Sequence, residues 1–585
     1  MGCGDSSARE KLKQTVTLKD NGESSAKKIV DDILLKTKHQ QNLSNEKVKD
    51  NIADKNNKNK SKERSANFVK RSNSRKRPSR QKIDEIGTKV NQKSPKKRKS
   101  KDSLTKKCQE YRNEINLFYR IEEEEETKIF GGKFVENNGE NIELSINGNK
   151  IELRKSYTLR RNSVVTMIIK KDLTDLSEMF SDCNTLYDID ELQYLNVSNC
   201  TNFSYMFSKC ASLSNVESLE YWNVSKCTDF SFMFIGCSSL SDLSPLENWD
   251  VSNSTNLTGM FAHCCVLSDF TFLEKWNVSN CKAFSEMFGG CISLKDLKPL
   301  KKWDVSKCTN FSEMFVGCPF LSDIEALENW NVSNCSNFSL MLSGCASLSE
   351  IKPLKKWNVS NSTNFTYMFA NCSSLTEIKS LEKWNVSNCT NFSQMFSGCS
   401  SLSGIKPLKE WNVSSGTNFS YMFSECASLS DLRPLENWNV SNCKSFNYMF
   451  YNCTSIKNLK PLKSWNISNC TDLSHMFSKC ASLYDLSPLE NWNVSNCKDF
   501  SEMFGGCIQL KNLNPLEKWD VSNSITFNSM FIGCSSLSNL KPLENWNVSN
   551  CIDFNLMFFE CSDSLDKNQL NQWCKLNDKF NVLEE

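Results

Sequence analysis

Counting a recurrent Met as position 1, apolar residues occupy positions 1, 2, 5, 8, 11, 14, 17, 19, 22 and 25 of a 27-residue unit. The unit repeats from Met179 to Met557 without insertion or deletion. A spacing of about three fits neither one long helix nor one flat strand, whose side-chain periods are about 3.6 and 2. Fourteen of the fifteen Met residues are followed by Phe, the exception being Leu342, and all fifteen have a Cys four residues on, from Cys183 to Cys561. A fixed period in this range predicts a solenoid or array, in which one unit cannot bury its own apolar face but a stack can.

The pattern also predicts the parts of each coil. Cys200, Phe203, Met206, Phe207 and Cys210 are spaced i, i+3, i+6, i+7, i+10, one face of a two- to three-turn helix preceded by Ser, Asn and Thr caps. The SLxxL segment reads as a short strand that ends before the Pro at position 13, as in Pro245 and Pro299. Position 17 is Trp from Trp222 to Trp573, position 18 is Asn or Asp, and position 20 is Ser. An invariant polar pair in an apolar frame suggests a buried Asn ladder bonded to the next coil. The expected architecture is an α/β solenoid, leucine-rich-repeat-like, a right-handed stack of about fifteen 27-residue coils over residues 172–562, about 70 Å long at one strand spacing per coil. Residues 111–171 hold short β-type runs with a hairpin signal at Asn147-Gly148, and read as a small β-rich N-terminal cap. Within it, the acidic run 122–126 reads as a solvated turn. Residues 563–585 read as a helical C-terminal cap.

The segment SLxxL followed by WNVSNCTNFSYMFxxC resembles the BspA-like leucine-rich-repeat family. The resemblance covers about two thirds of the chain and implies a leucine-rich-repeat-like solenoid used for binding, with no common catalytic residues to carry over. The coil here is longer than the family's usual one, by an added Pro-Leu turn.

Composition changes the picture mainly at the N-terminus. The 585 residues carry a net charge of +3, which hides two halves: residues 1–110 hold 31 Lys/Arg against 14 Asp/Glu, the rest 40 against 54. Almost without aromatics, the first part is expected to be a disordered basic tail. The opening Met-Gly-Cys-Gly-Asp-Ser fits N-myristoylation of Gly2, with Cys3 beside it as a palmitoylation site. A single acyl chain anchors only marginally, and the basic run from Lys60 to Lys107 supplies a further signal through Arg75, Lys76, Arg77, Lys96, Lys97, Arg98 and Lys99. Nuclear import or DNA contact are rival readings of the same clusters. No aromatics are interleaved with these charges to support single-strand binding, and nucleic acid is not the partner expected.

Twenty-five of the 29 Cys fall on positions 5 and 22; the outliers are Cys3, Cys108, Cys265 and Cys574. At position 22 the gaps are filled by Ser254, Ser362, Gly416 and Ser524. Small replacements suit buried thiols acting as small hydrophobes, and predict a reduced, intracellular solenoid with no metal and no cofactor. For function there remain surface positions. Position 15 alternates in sign (Glu274, Lys301, Glu328, Lys355 and onward) and reads as coil-to-coil charge register. Position 12 gives a basic stripe: Lys298, Lys352, Lys379, Lys406, Arg433 and Lys460. Position 27 carries aromatics, Tyr205, Phe232, Tyr367, Tyr421 and Tyr448, suited to an interface. Arg160-Arg161-Asn162-Ser163 matches an arginine-directed kinase site at Ser163. The function expected is a non-enzymatic scaffold that binds a protein partner and is tethered to the cytoplasmic face of a membrane, with an anionic leaflet under the tail. The alternatives are a nuclear or nucleic-acid-associated protein and a surface adhesin.

Overall fold

A computed structural model describes residues 111–565. The expectations for the basic tail, including Gly2, Cys3 and the clusters at Arg75–Arg77 and Lys96–Lys99, and for the helix at 566–585 lie outside the described residues.

Chain entry is through a small antiparallel sheet. Strands β1 (Glu114–Tyr119), β3 (Ile142–Ile146), β4 (Asn149–Ile151), β6 (Val164–Ile169) and β7 (Leu186–Asp188) lie in the order β4-β3-β6-β1-β7, while β2 (Glu125–Lys128) pairs with β5 (Ser156–Leu159). Asn147 and Gly148 join β3 to β4 with φ of 51° and 80°, the two positive values that a two-residue hairpin with this twist requires. Glu125 and Glu126 of the acidic run belong to β2 rather than to a turn. A short helix, α1 (Gly132–Asn138), follows the tight approach of Gly131 to the first coil, where a Cβ would lie 2.0 Å from the Glu178 carbonyl oxygen. Its amide donates to the Met179 carbonyl at 3.1 Å, and Phe130 stacks on Phe180 at 6.0 Å. The sheet and the stack therefore share one apolar core, and β7 is itself part of the first coil.

Among the described residues the predicted apolar positions are buried, including the Trp222–Trp546 column at 3–5% exposure and the position-5 Cys column from Cys183 to Cys534; Cys561, in the last coil, is half-buried. The local structure differs from the prediction. Positions 22 to 5 form no helix; they form successive i→i+3 turns, for example Met206 N–H to Phe203 C=O (3.2 Å) and Cys210 N–H to Phe207 C=O (3.1 Å). The third residue of each of these two turns, Tyr205 and Lys209, has φ near +58°, as type II turns demand. Intervening amides donate to the next coil: Phe203 to Asp229, Tyr205 to Ser231, Phe207 to Met233 and Lys209 to Ile235, at 2.6–2.9 Å. Alternate N–H groups thus close a turn within the coil or join two coils, and the amides from Phe203 to Cys210 are all paired as the chain enters the core. At about 1 kcal/mol net per bond, four such rungs make each coil–coil joint worth several kcal/mol before apolar burial is added.

The expected strand over SLxxL is present in the first coil as β7, and in later coils is reduced to isolated parallel bridges such as Asp296–Asp323, followed by a 3-10 turn over positions 12–14 or 12–16, as in Glu217–Tyr221. Proline at position 13 fits because it sits in the first turn of that element, where no internal amide bond is lost.

The invariant Trp has a polar reason that its apolar context hid. Trp222 Nε1–H donates to the Leu192 carbonyl of the preceding coil at 2.8 Å, and the same bond recurs thirty residues back for each Trp to Trp546. Cys at position 5 repeats the device: Cys210 Sγ donates to Phe180 O at 3.1 Å. Position 18, by contrast, is exposed from Asn223 onward and forms no ladder. Asn223 Oδ1 accepts the Ser225 amide of its own coil. The inter-coil asparagine ladder lies at position 21, where Asn253 Nδ2 donates to Ser225 O at 2.7 Å and Asn280 to Ser252 O at 2.7 Å.

Candidate functional site: an aromatic column on the solenoid

Position 27 is one of two left-handed corners in each coil, and its side chains form one column. Gly would be the least costly residue there, yet Gly occurs in it once, at Gly259. Tyr205, Phe232, Tyr367, Tyr421, Tyr448 and His475 hold φ of 56–59° instead, at a cost of roughly 1–2 kcal/mol each. The rings lie face to face along the stack: Tyr205 on Phe232 at 4.7 Å, Tyr421 on Tyr448 at 4.3 Å, and Tyr448 on His475 at 4.0 Å. Such stacking returns about 0.5–1.5 kcal/mol per pair and offsets part of the strain. Ring edges and polar tips, not ring faces, are left for solvent.

The column is richest between Tyr421 and Glu502. His475 Nδ1 lies 2.7 Å from Glu502 Oε2, which also accepts from Ser478 Oγ at 3.2 Å. Beside it, Lys479 Nζ donates to the Tyr451 hydroxyl at 2.7 Å and lies over the Tyr451 ring. Burial, with the neighbouring Tyr448 phenol, pushes the Tyr421 phenol above its ordinary pKa, so its hydroxyl stays a proton donor. Further back, Tyr367 shares a hydrogen bond with Gln394 of the next coil. At Glu313, burial and the like charge of Glu286 raise the carboxyl pKa. His475 and Glu502 belong to this site although the aromatic pattern did not reveal them; their place in the 27-residue register was the available signal.

The basic stripe at position 12 is partly neutralised. Lys298 lies 3.3 Å from Asp296, Lys352 2.6 Å from Glu350, and Arg433 makes a two-pronged pair with Asp431 at 2.8 and 2.9 Å. An acid two residues earlier produces this, and it is absent at Lys406 and Lys460, where Gly404 and Asn458 stand instead. Lys379 follows Glu377 in the same register. Charge register at position 15 is diagonal rather than along the column: Lys275 pairs with Glu247, Lys356 with Glu328 and Lys518 with Glu490, each Lys at position 16 of the next coil. Ser163 sits in the turn before β6, its Oγ accepting the Arg160 amide at 3.0 Å. The thiols are chemically quiet. Burial pushes Cys237, Cys318, Cys372 and Cys480 up to about 12.

The repeats match the family described as "Mycoplasma protein of unknown function, DUF285" in four overlapping segments, residues 174–297, 292–405, 374–486 and 471–579. A comparison with curated proteins returns no match. Among solved structures the chain is similar to a leucine rich cell surface protein from Faecalibacterium prausnitzii, with 15% identity and a TM-score of 0.29 over 59% of this chain and 83% of that one. A leucine-rich repeat protein from Eubacterium ventriosum is similar at 14% identity and a TM-score of 0.27, over 54% and 82%. The functional domain of InlJ from Listeria monocytogenes, which includes a cysteine ladder, is similar at 12% identity and a TM-score of 0.14, over 66% and 73%. With matches over residues 174–579, the chain belongs to the family described as "Mycoplasma protein of unknown function, DUF285", and its coils are BspA-like leucine-rich repeats.

Proposed function

We propose that the chain is a non-catalytic scaffold whose solenoid binds a protein partner through the position-27 column, above all at Tyr421, Tyr448, His475 and Glu502. The observation that carries this is the retention of bulky rings at left-handed corners, where the stack needs only a backbone that Gly259 already supplies. A surface of stacked rings edged with hydroxyls and one His–Glu pair suits a protein interface, which favours rigid aromatic anchors with polar tips.

The same proposal gives location to the N-terminal segment: acyl chains on Gly2 and Cys3 supply two anchors, and the basic residues add attraction to an anionic cytoplasmic leaflet that weakens with salt. The test is a C-terminally tagged chain carrying Gly2→Ala and Cys3→Ser. Loss of membrane-bound signal to the cytosol supports the tether, whereas an unchanged nuclear or membrane signal refutes it. No helix among the described residues is long and apolar enough to cross a membrane.

A further inference from the structure

A second surface feature lies away from the aromatic column, where the N-terminal sheet meets the first coil. The end of β1, the connection after it, the β5–β6 turn and β7 enclose an open cleft of about 700 Å³, lined among others by Phe118, Arg120, Glu122, Arg161, Ser163 and Tyr187. Two guanidinium groups face it without a carboxylate partner among the described residues. Other arginines nearby are occupied: Arg160 pairs with Glu124 at 3.1 Å and Arg154 with Glu152 at 2.5 Å. Arg120 instead lies over the Tyr187 ring, 5.4 Å from its centre, a contact that orients a guanidinium and leaves its donors free.

The turn adds donors of its own. Ser163 N–H closes on the Arg160 carbonyl at 3.0 Å, and Asn162 takes a left-handed φ of 65°. The amides of Arg161 and Asn162 make no hydrogen bond among the described residues. Turn amides of this kind form concavities that attract anions, and two unpaired arginines add the planar, multiply donating groups that match phosphate oxygens. One opposing charge, Glu122, also lines the cleft and sets the sign of a control.

We propose that this cleft is a phosphate-monoester site held by Arg120 and Arg161. The phosphate has two possible sources with the same chemistry. One is a separate phosphorylated molecule. The other is Ser163 itself, after its Oγ gives up a proton and takes the terminal phosphoryl group of a nucleoside triphosphate, with the diphosphate leaving.

The experiment titrates O-phosphoserine into the full chain at fixed ionic strength by calorimetry. A separate ligand predicts binding that Arg120→Ala or Arg161→Ala weakens by about ten-fold or more, one charge-assisted contact each. Glu122→Gln should tighten it, because a repelling carboxylate is removed. In the second arm, chain phosphorylated at Ser163 is challenged with a phosphatase. If Ser163 is the source, its phosphate resists removal in the wild-type chain and loses that protection in Arg120→Ala, while free O-phosphoserine does not bind the unphosphorylated protein. Binding unaltered by either arginine variant, weakening by Glu122→Gln, or absence of both binding and protection overturns the proposal.

Discussion

Ser254 stands where most coils place a buried Cys, and it should be the weakest residue in that column. It is fully buried and its hydroxyl has no hydrogen-bond partner, whereas Ser362 in the same register donates to the Cys335 carbonyl at 3.1 Å. An unsatisfied buried hydroxyl costs about 1–3 kcal/mol. Thiols one coil away on either side, Cys227 and Cys281, reach carbonyls two residues on at 3.3 Å, and a thiol at 254 has the same acceptor in Asn256. A thiol also tolerates apolar surroundings without a bond. Ser254→Cys should therefore stabilise the protein by about 1–2 kcal/mol. Ser362→Cys exchanges one made bond for a weaker one and should change stability by no more than about 0.5 kcal/mol. Both variants go through urea unfolding in reducing buffer, followed by tryptophan fluorescence, with the slope checked for constancy because repeat arrays can lose two-state behaviour. Equal effects at the two sites, or destabilisation at 254, would refute the claim that this column selects for burial rather than for sulfur chemistry.

Trp384→Phe should cost far less than Trp384→Ala. Leu354 O, which accepts Trp384 Nε1 at 3.1 Å, keeps the Trp357 amide at 3.2 Å, so Phe forfeits about 1 kcal/mol while Ala opens a cavity worth about 3–5 kcal/mol; urea midpoints decide it. Stability should fall at alkaline pH. Thiols held near 12 in the fold against about 8.5 unfolded give stability that is complete below pH 8.5 and lost as pH rises towards 12, at about 1.4 kcal/mol per pH unit per thiol. Circular dichroism should show unfolding well before pH 12, and full ellipticity there would contradict the reading. Under native conditions at neutral pH, Cys265 and Cys561 should react with a thiol reagent ahead of Cys237, because they alone among the described cysteines are not fully buried; mass spectrometry of the labelled sites checks the order.

The apolar frame was legible because burial leaves a mark coil after coil: Leu213, Trp222, Phe230 and their apolar equivalents among the described residues are inside. Secondary structure was not, since a chain of turns returns a side chain to the core about every third residue, much as a helix does. What separates the two is the pair of left-handed corners at positions 27 and 4. Gly236, Gly290 and Gly317 announce position 4, but Tyr and Glu at position 27 conceal the other. Asparagine misled for a related reason. An Asn in the WNVSN stretch can cap its own turn, as Asn223 does, or bridge coils, as Asn253 does, and only the register of the backbone decides between them. Charge pairing is not legible along a single column, because the long side chains at position 16 reach diagonally to position 15 of the preceding coil. The surface site was half visible: the aromatic tally named Tyr421 and Tyr448, and the stack added His475 and Glu502.

The central claim, that the position-27 column binds the partner, is tested most directly by proximity labelling with the full chain against Tyr421→Gly/Tyr448→Gly. Glycine relieves about 1–2 kcal/mol of backbone strain per site while losing stacking of comparable size, so the double variant should stay folded, as a matching urea midpoint would show. The account predicts that the variant remains at the same cellular location and loses a discrete set of labelled proteins. An unchanged set of labelled proteins from a folded, correctly located variant would contradict it.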